Sequence, residues 1–276
     1  MILLRTTRVD TATLTLARQL EQASGERIAM LVDERQGVVD THGRDKVSLT
    51  HQACSATGLY APSDFAWRCG DYGFYVARAQ FPDEHSYWMI EYDVRITGDA
   101  GRFFAAWRAR PEVDLVAAHI GPAGGDWWWR ATVTSSDAEP RRCFFPVVRL
   151  SARAVDALAA KRRQHSRRPL RRALWPNDES FVATAAQAAG LTAADLNDAG
   201  LRVYDDETYS YTNVLDGAAL ADDAPDATPR LYHPVLEGDD LARKLARTQK
   251  DHGKPTPLAE RAYRKLIARV NGATTW

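Results

Sequence analysis

The first 32 residues constrain the fold more tightly than any later segment. Ile2 to Thr6 is an apolar run of strand length, and Arg27 to Val32 is a second one. Between them, Thr11 to Ala23 spaces Leu14, Leu16, Ala17 and Leu20 for the buried face of a helix, with Asp10 or Thr11 to cap it and Ser24-Gly25 to stop it. Strand, helix and strand at these lengths form a β-α-β unit. The alternation continues. A helix is expected from Ser63 or Asp64 to about Gln80, closed by Pro82, and then a strand from Tyr87 to Val94. A helix at Gly101 to Arg108, strands at Val113 to His119 and Phe144 to Leu150, and a helix capped by Ser151 through Val155, Leu158 and Ala159 follow. The expected class is α/β: one Rossmann-like layered mixed sheet flanked by helices.

Further on, a helix starts at Trp175 to Ser180 and ends near Gly190, and a short one is expected over Thr192 to Asn197. Leu201 to Tyr204 and Tyr209 to Asn213 read as extended, Asp216 to Pro229 as a loop, and Asp239 to Val270 as a polar helical tail. The expected organisation is one domain over 1–235 with a helical extension over 236–276.

Lys+Arg and Asp+Glu are both 36, so no global charge draws the chain to nucleic acid. Cys54, Cys69 and Cys143 lack CxxC spacing, which argues against a disulfide framework or a zinc site and favours a reducing cytoplasm. No stretch has the pattern of a cleaved leader or the length of a membrane span.

The chemistry concentrates in Tyr87-Trp88-Met89-Ile90-Glu91-Tyr92-Asp93-Val94-Arg95, an apolar run that ends in two carboxylates. On a strand that stays extended, Glu91 and Asp93 point the same way and can share a ligand. Hard cations such as Mg²⁺ and Mn²⁺ take one or two carboxylates plus phosphate oxygens, so the pattern suits a cation held against a diphosphate. It also serves simply to end a strand in solvent. Arg5 and Thr6 end the first strand and Asp33 ends the second, where α/β sheets bind nucleotides; Asp33-Glu34 also suits a solvated loop. Trp127, Trp128 and Trp129 in a glycine-rich loop cannot all face one core, and suit a sugar-stacking platform, a lid or a subunit contact. Lys161 to Arg172 holds seven Lys or Arg residues. That run is either a solvated helix face or a contact for an anionic acceptor or an anionic membrane surface.

The order of these pieces resembles a glycosyltransferase of the GT-A type. More narrowly, Trp67-Arg68-Cys69-Gly70-Asp71-Tyr72 together with the Glu91-x-Asp93-Val94-Arg95 block resembles a family of largely uncharacterised bacterial GT-A-like proteins, over roughly residues 1 to 235. Members of this type commonly carry Asp-x-Asp, where this chain has Glu91 first. The resemblance implies a nucleotide-diphosphate sugar donor, a glycan, glycolipid or other glycoconjugate acceptor, and Mn²⁺ or Mg²⁺. It points to Asp93, Glu91 and a late His233 for the metal, while Arg5, Thr6, Asp33, Asp71 and Arg95 are the candidates for the donor. For Asp71 a pair with Arg68 is the alternative, and for His233 a loop histidine held by hydrogen bonds. Asp178 and Glu179, at a helix start, are the candidate base for an inverting transfer, and also simply suit the helix dipole. A base there needs burial or an acidic neighbour to raise its pKa. The alternative to an enzyme is a GT-A-like nucleotide- or glycan-binding module without turnover. A nucleotidyltransferase would want a glycine-rich phosphate loop after the first strand, and Arg5 to Asp10 contains no glycine.

Overall fold

The computed structural model describes residues 1–125, 127–133, 138–220 and 227–252. Strands β1 (Ile2–Thr6), β2 (Ile28–Asp33), β3 (Asp45–Leu49), β4 (Ser86–Glu91), β6 (Leu115–Pro122), β7 (Arg141–Ser151) and β8 (Ala193–Asp195) form a seven-stranded mixed sheet in the order β3-β2-β1-β4-β7-β6-β8. Only β7 runs antiparallel to its neighbours. The short β5 (Arg95–Thr97) lies outside this sheet and pairs with Arg230–Tyr232. The chain has the expected α/β architecture, with helices on both faces.

Side-chain alternation along β1 explains the two cores. Met1 and Leu3 face one side with Leu31, Tyr87 and Met89, against α3 (Phe65–Arg68), α4 (Asp71–Gln80), α7 (Ala152–Ser166) and α8 (Asp178–Ala188). Ile2 and Leu4 face the other with Met30, Trp88 and Ile90, against α1 (Thr11–Ser24) and α5 (Ala100–Arg108). β1 is buried on both faces, as the continuous apolar run requires. Helix α1 starts where Asp10 accepts a bond from the Thr13 N–H, and ends at Gly25, which takes the left-handed φ of 65°.

Several expectations are corrected. The strand that begins at Ser86 stops at Glu91 instead of reaching Val94, because the chain turns there, with the Val94 N–H donating to the Glu91 carbonyl at 3.1 Å. The helix expected from residue 63 to 80 is two helices, α3 and α4, broken at Cys69-Gly70. The segment Thr192 to Asn197 is mainly the edge strand β8 followed by a 3-10 turn over Leu196–Ala199, stabilised by pairing with β6. Sequence periodicity missed β3, the short α2 (His51–Ala56) beyond it and the one-turn α6 (Arg130–Val133). Tyr209 makes only an isolated bridge with His233, and no strand forms over 201–204 or 209–213. Part of the loop expected over 216–229 lies outside the described residues. The tail is helical as α9 (Gly238–His252), and 253–276 lie outside the described residues. Among the described residues no helix is long and apolar enough to cross a membrane.

Candidate active site

β1 connects to β2 on one side, while its other neighbour is β4, so the sheet order reverses between β1 and β4. Parallel sheets open a crevice at the carboxyl ends of strands at such a point. Arg5 and Glu91 are register partners at those ends, on the same face as Leu3 and Met89. The Arg5 guanidinium donates from Nη1 to Glu91 Oε1 at 2.6 Å and from Nη2 to the Ala66 carbonyl.

Asp93 reaches Glu91 through the turn, not through strand alternation. The antiparallel pairing of β5 with Arg230–Tyr232 then brings the next residue, His233, over both carboxylates. The Val235 N–H donates to the Asp93 carbonyl at 2.7 Å and locks this crossing. His233 Nε2 lies 3.6 Å from Glu91 Oε2 and 3.6 Å from Asp93 Oδ1. Its Nδ1 is 2.8 Å from the Ser210 carbonyl, which can only accept, so Nδ1 carries the proton and Nε2 faces the carboxylates. The rings of Phe144 and Tyr209 pack at 5.4 and 5.6 Å from the imidazole and hold it there.

These three side chains fit a divalent cation. One ligand atom from each lies within 4.8 Å of the others, and octahedral bonds of about 2.1 Å put ligands about 3.0 to 4.2 Å apart. Asp93 Oδ1 is buried with no hydrogen-bond partner, which is costly unless a cation satisfies it. Burial and then the charge of Glu91 push the Asp93 carboxyl up to about 6. Burial acts on Glu91 in the same direction, but Arg5 and His233 outweigh it and hold that carboxyl at about 2.

The start of α8 lines the same cleft as the trio. Asn177 caps it through the Ser180 N–H at 3.0 Å. Asp178 is buried and both of its oxygens accept backbone N–H bonds, Oδ2 from Gly70 and Oδ1 from Glu179, each at 2.8 Å. Glu179 is half-buried, with Asn177 Nδ2 at 3.3 Å from Oε2. Burial first, then Asp178, raises the Glu179 carboxyl to about 8; burial raises Asp178 to about 7 against the pull of Arg5. The burial and acidic neighbour that a base at a helix start needs are both present. Asp178 is spent on backbone bonds, so Glu179 is the carboxylate available to a substrate.

Gly70 lies between Arg5 and Asp178. A Cβ there would sit 2.6 Å from Asp178 Oδ2 and 2.7 Å from Arg5 Nη1. Its φ of −56° suits any residue, so the requirement is for space and not conformation. Gly70→Ala is expected to keep the fold but displace Arg5 and Asp178, lowering turnover by about 10²-fold, because displacements near 1 Å cost that much. Steady-state kinetics beside a melting curve checks this, and wild-type turnover would refute it.

One cleft of about 1010 Å³ takes in Arg5, Glu91, Asp93, His233, Asp178, Glu179 and the three tryptophans of 127–129, which are half-buried on its wall. The structure does not bring the other candidates there. Thr6 is buried and donates to the Arg8 carbonyl at 2.6 Å, shaping the turn into α1. Asp33 is clasped by Arg35 at 2.7 Å. Arg95 points away, to the Gly217 carbonyl and Glu237, on the wall of a second hollow beside α1. Asp71 is fully buried, paired with Arg162 at 2.7 and 2.9 Å and with the Tyr75 hydroxyl at 2.9 Å, which rules out a sugar contact. Arg68 pairs with Asp64 instead of Asp71. The basic run is therefore no uniform solvated face, since Arg162 belongs to the core; none of its described side chains lines the cleft. Sequence reasoning missed Arg142, Phe144, Tyr211 and Lys244 as cleft residues. Trp67, 67% exposed and 6.3 Å from the Trp129 ring, lay in a block that already carried a resemblance, and that was its only signal.

No protein-family model matches the chain, and no curated protein matches it. Among solved structures, similar chains include a glycosyltransferase involved in the glycosylation of the major capsid of PBCV-1 (11% identity, 90% of this chain and 98% of that one, TM-score 0.42). Mouse xyloside xylosyltransferase 1 in its apo form shows 9% identity over 70% of this chain and 83% of that one, with a TM-score of 0.40. The galactosyltransferase LgtC in complex with donor and acceptor sugar analogues shows 10% identity over 100% and 96%, with a TM-score of 0.45.

Proposed function

We propose that the chain is a GT-A-like glycosyltransferase that moves a sugar from a nucleoside-diphosphate donor to a hydroxyl of a glycan or glycoconjugate. The observation that carries this reading is the presence, in one cleft, of a cation-fitting trio and a carboxylate of raised pKa. Glu91, Asp93 and His233 would hold Mn²⁺ or Mg²⁺, and the imidazole nitrogen favours Mn²⁺ over the oxygen-seeking Mg²⁺. The cation supplies charge to offset the departing diphosphate. Arg5, anchored at the switch point, adds a fixed positive charge on the same side.

Glu179 lines the same cleft, where it can take the proton of the acceptor hydroxyl as that oxygen attacks the anomeric carbon. The bond to the diphosphate breaks as the new glycosidic bond forms, and the proton ends on Glu179. Attack from the base side with departure towards Arg5 inverts the anomeric centre. The tryptophans, with Trp67, offer flat apolar faces to sugar rings and exclude water. Incubation with a panel of nucleoside-diphosphate sugars and Mn²⁺ is expected to release nucleoside diphosphate and give a product of inverted anomeric configuration by proton NMR. A retained configuration would remove Glu179 as the base, and no release from any donor would remove the transferase reading.

A further inference from the structure

Arg142 is the cleft cation that the scheme above leaves without a role. It stands on β7, two residues before Phe144, opposite Gly121 at the root of the tryptophan loop. The neighbouring residue ties it to the base, since Cys143 Sγ is 3.5 Å from the Glu179 carbonyl. The other two arginines of the cleft are held in ion pairs, Arg5 by Glu91 and Arg68 by Asp64. Arg142 is exposed, lines the cleft, and makes no ion pair with any described residue. Its charge also works against Glu179, whose affinity for a proton it lowers. An anion docked on the guanidinium would cancel that opposition where the acceptor must lose its proton.

We propose that Arg142 receives an anionic group of the acceptor, a carboxylate or a phosphate ester carried close to the hydroxyl that is glycosylated. This rests on the transferase reading and adds the class of acceptor to it. A planar guanidinium fork matches both oxyanions with two parallel hydrogen bonds, and the tryptophans beside it take the attached sugar face.

Three tetrasaccharides of one backbone, neutral, with a single glucuronate, or with a single phosphate monoester, distinguish the sources. Each is titrated into wild type, Arg142→Ala and Arg142→Lys, with and without UDP, GDP and Mn²⁺. One charged sugar is expected to bind at least about tenfold more tightly than the neutral one. Arg142→Ala should abolish that preference, Arg142→Lys should recover part of it, and nucleotide affinity should stay unchanged in both. No charge preference, a preference that survives Arg142→Ala, or no sugar binding at all would overturn the proposal. Weakened nucleotide binding in Arg142→Ala would also overturn it, placing the guanidinium on the donor and leaving the transferase reading intact. A charge preference without nucleotide binding by the wild type would do the reverse.

Discussion

Glu179→Gln is expected to lower turnover by about 10²- to 10⁴-fold while donor affinity is kept, the range over which a positioned general base acts. The amide preserves the shape of the α8 start and the contact with Asn177 but cannot accept a proton. In the wild type, activity should rise with pH through about 8, because Glu179 must be ionised to act and its carboxyl is raised by burial and by Asp178. The variant should lose that limb of the profile. Stability runs the other way. A carboxyl raised in the fold holds its proton where the unfolded chain has released it, so stability is fullest below the unfolded value, about 4.5, and is lost as pH rises towards about 8. Melting curves of the metal-free protein should show this decline, and the decline should shrink in Glu179→Gln. Wild-type turnover in the variant would end the base assignment. Asp178→Asn is a different experiment: its single amide oxygen can accept from only one of the Gly70 and Glu179 N–H groups and turns an N–H towards the other, so it should harm both binding and rate.

Asp71→Asn or Arg162→Met is expected to cost about 3 to 5 kcal/mol of stability, because each leaves one buried charge without its counter-charge. Both side chains have no exposed surface, and Arg162 also donates from Nη1 to the Pro176 carbonyl at 3.0 Å. Its guanidinium carbon lies 3.8 Å from the centre of the Phe181 ring. The pair thereby joins α4, α7 and the residue before the Asn177 cap, and through that cap sets where Glu179 stands. A fall in melting temperature of about 10 °C should accompany the single changes. The double change Asp71→Leu with Arg162→Met should recover much of it, since replacing a whole buried pair by apolar groups is far less costly than halving it. If the single variants melt with the wild type, the pair does not hold the fold together.

The parts of this molecule that follow from local pattern were readable in the sequence. Continuous apolar runs marked β1, β2 and β4, and Asp10 with Gly25 bounded α1 as their cap chemistry requires. The pairing of Glu91 with Asp93 was legible, but for the wrong reason, since a turn joins them where alternation was expected. Asp71 could not be read correctly because its partner is 91 residues away in a run that reads as solvated. The break at Gly70 was hidden for the same kind of reason: the space it leaves is filled by Arg5 and Asp178 from distant parts of the chain. β3 escaped notice because its pattern is half polar, as suits an edge strand. Arg142 carries no sequence signal, since its meaning depends on which carboxylates lie near it in space.

Calorimetric titration of UDP, GDP, ADP and CDP into wild type and Asp93→Asn, with and without Mn²⁺, tests the central claim most directly. Glu91, Asp93 and His233 holding a cation against a diphosphate predict that one nucleotide binds only when Mn²⁺ is present, and that Asp93→Asn loses this binding while melting no lower than the wild type. Nucleotide affinity that is indifferent to both Mn²⁺ and Asp93→Asn, or the absence of binding by every nucleotide, would contradict it.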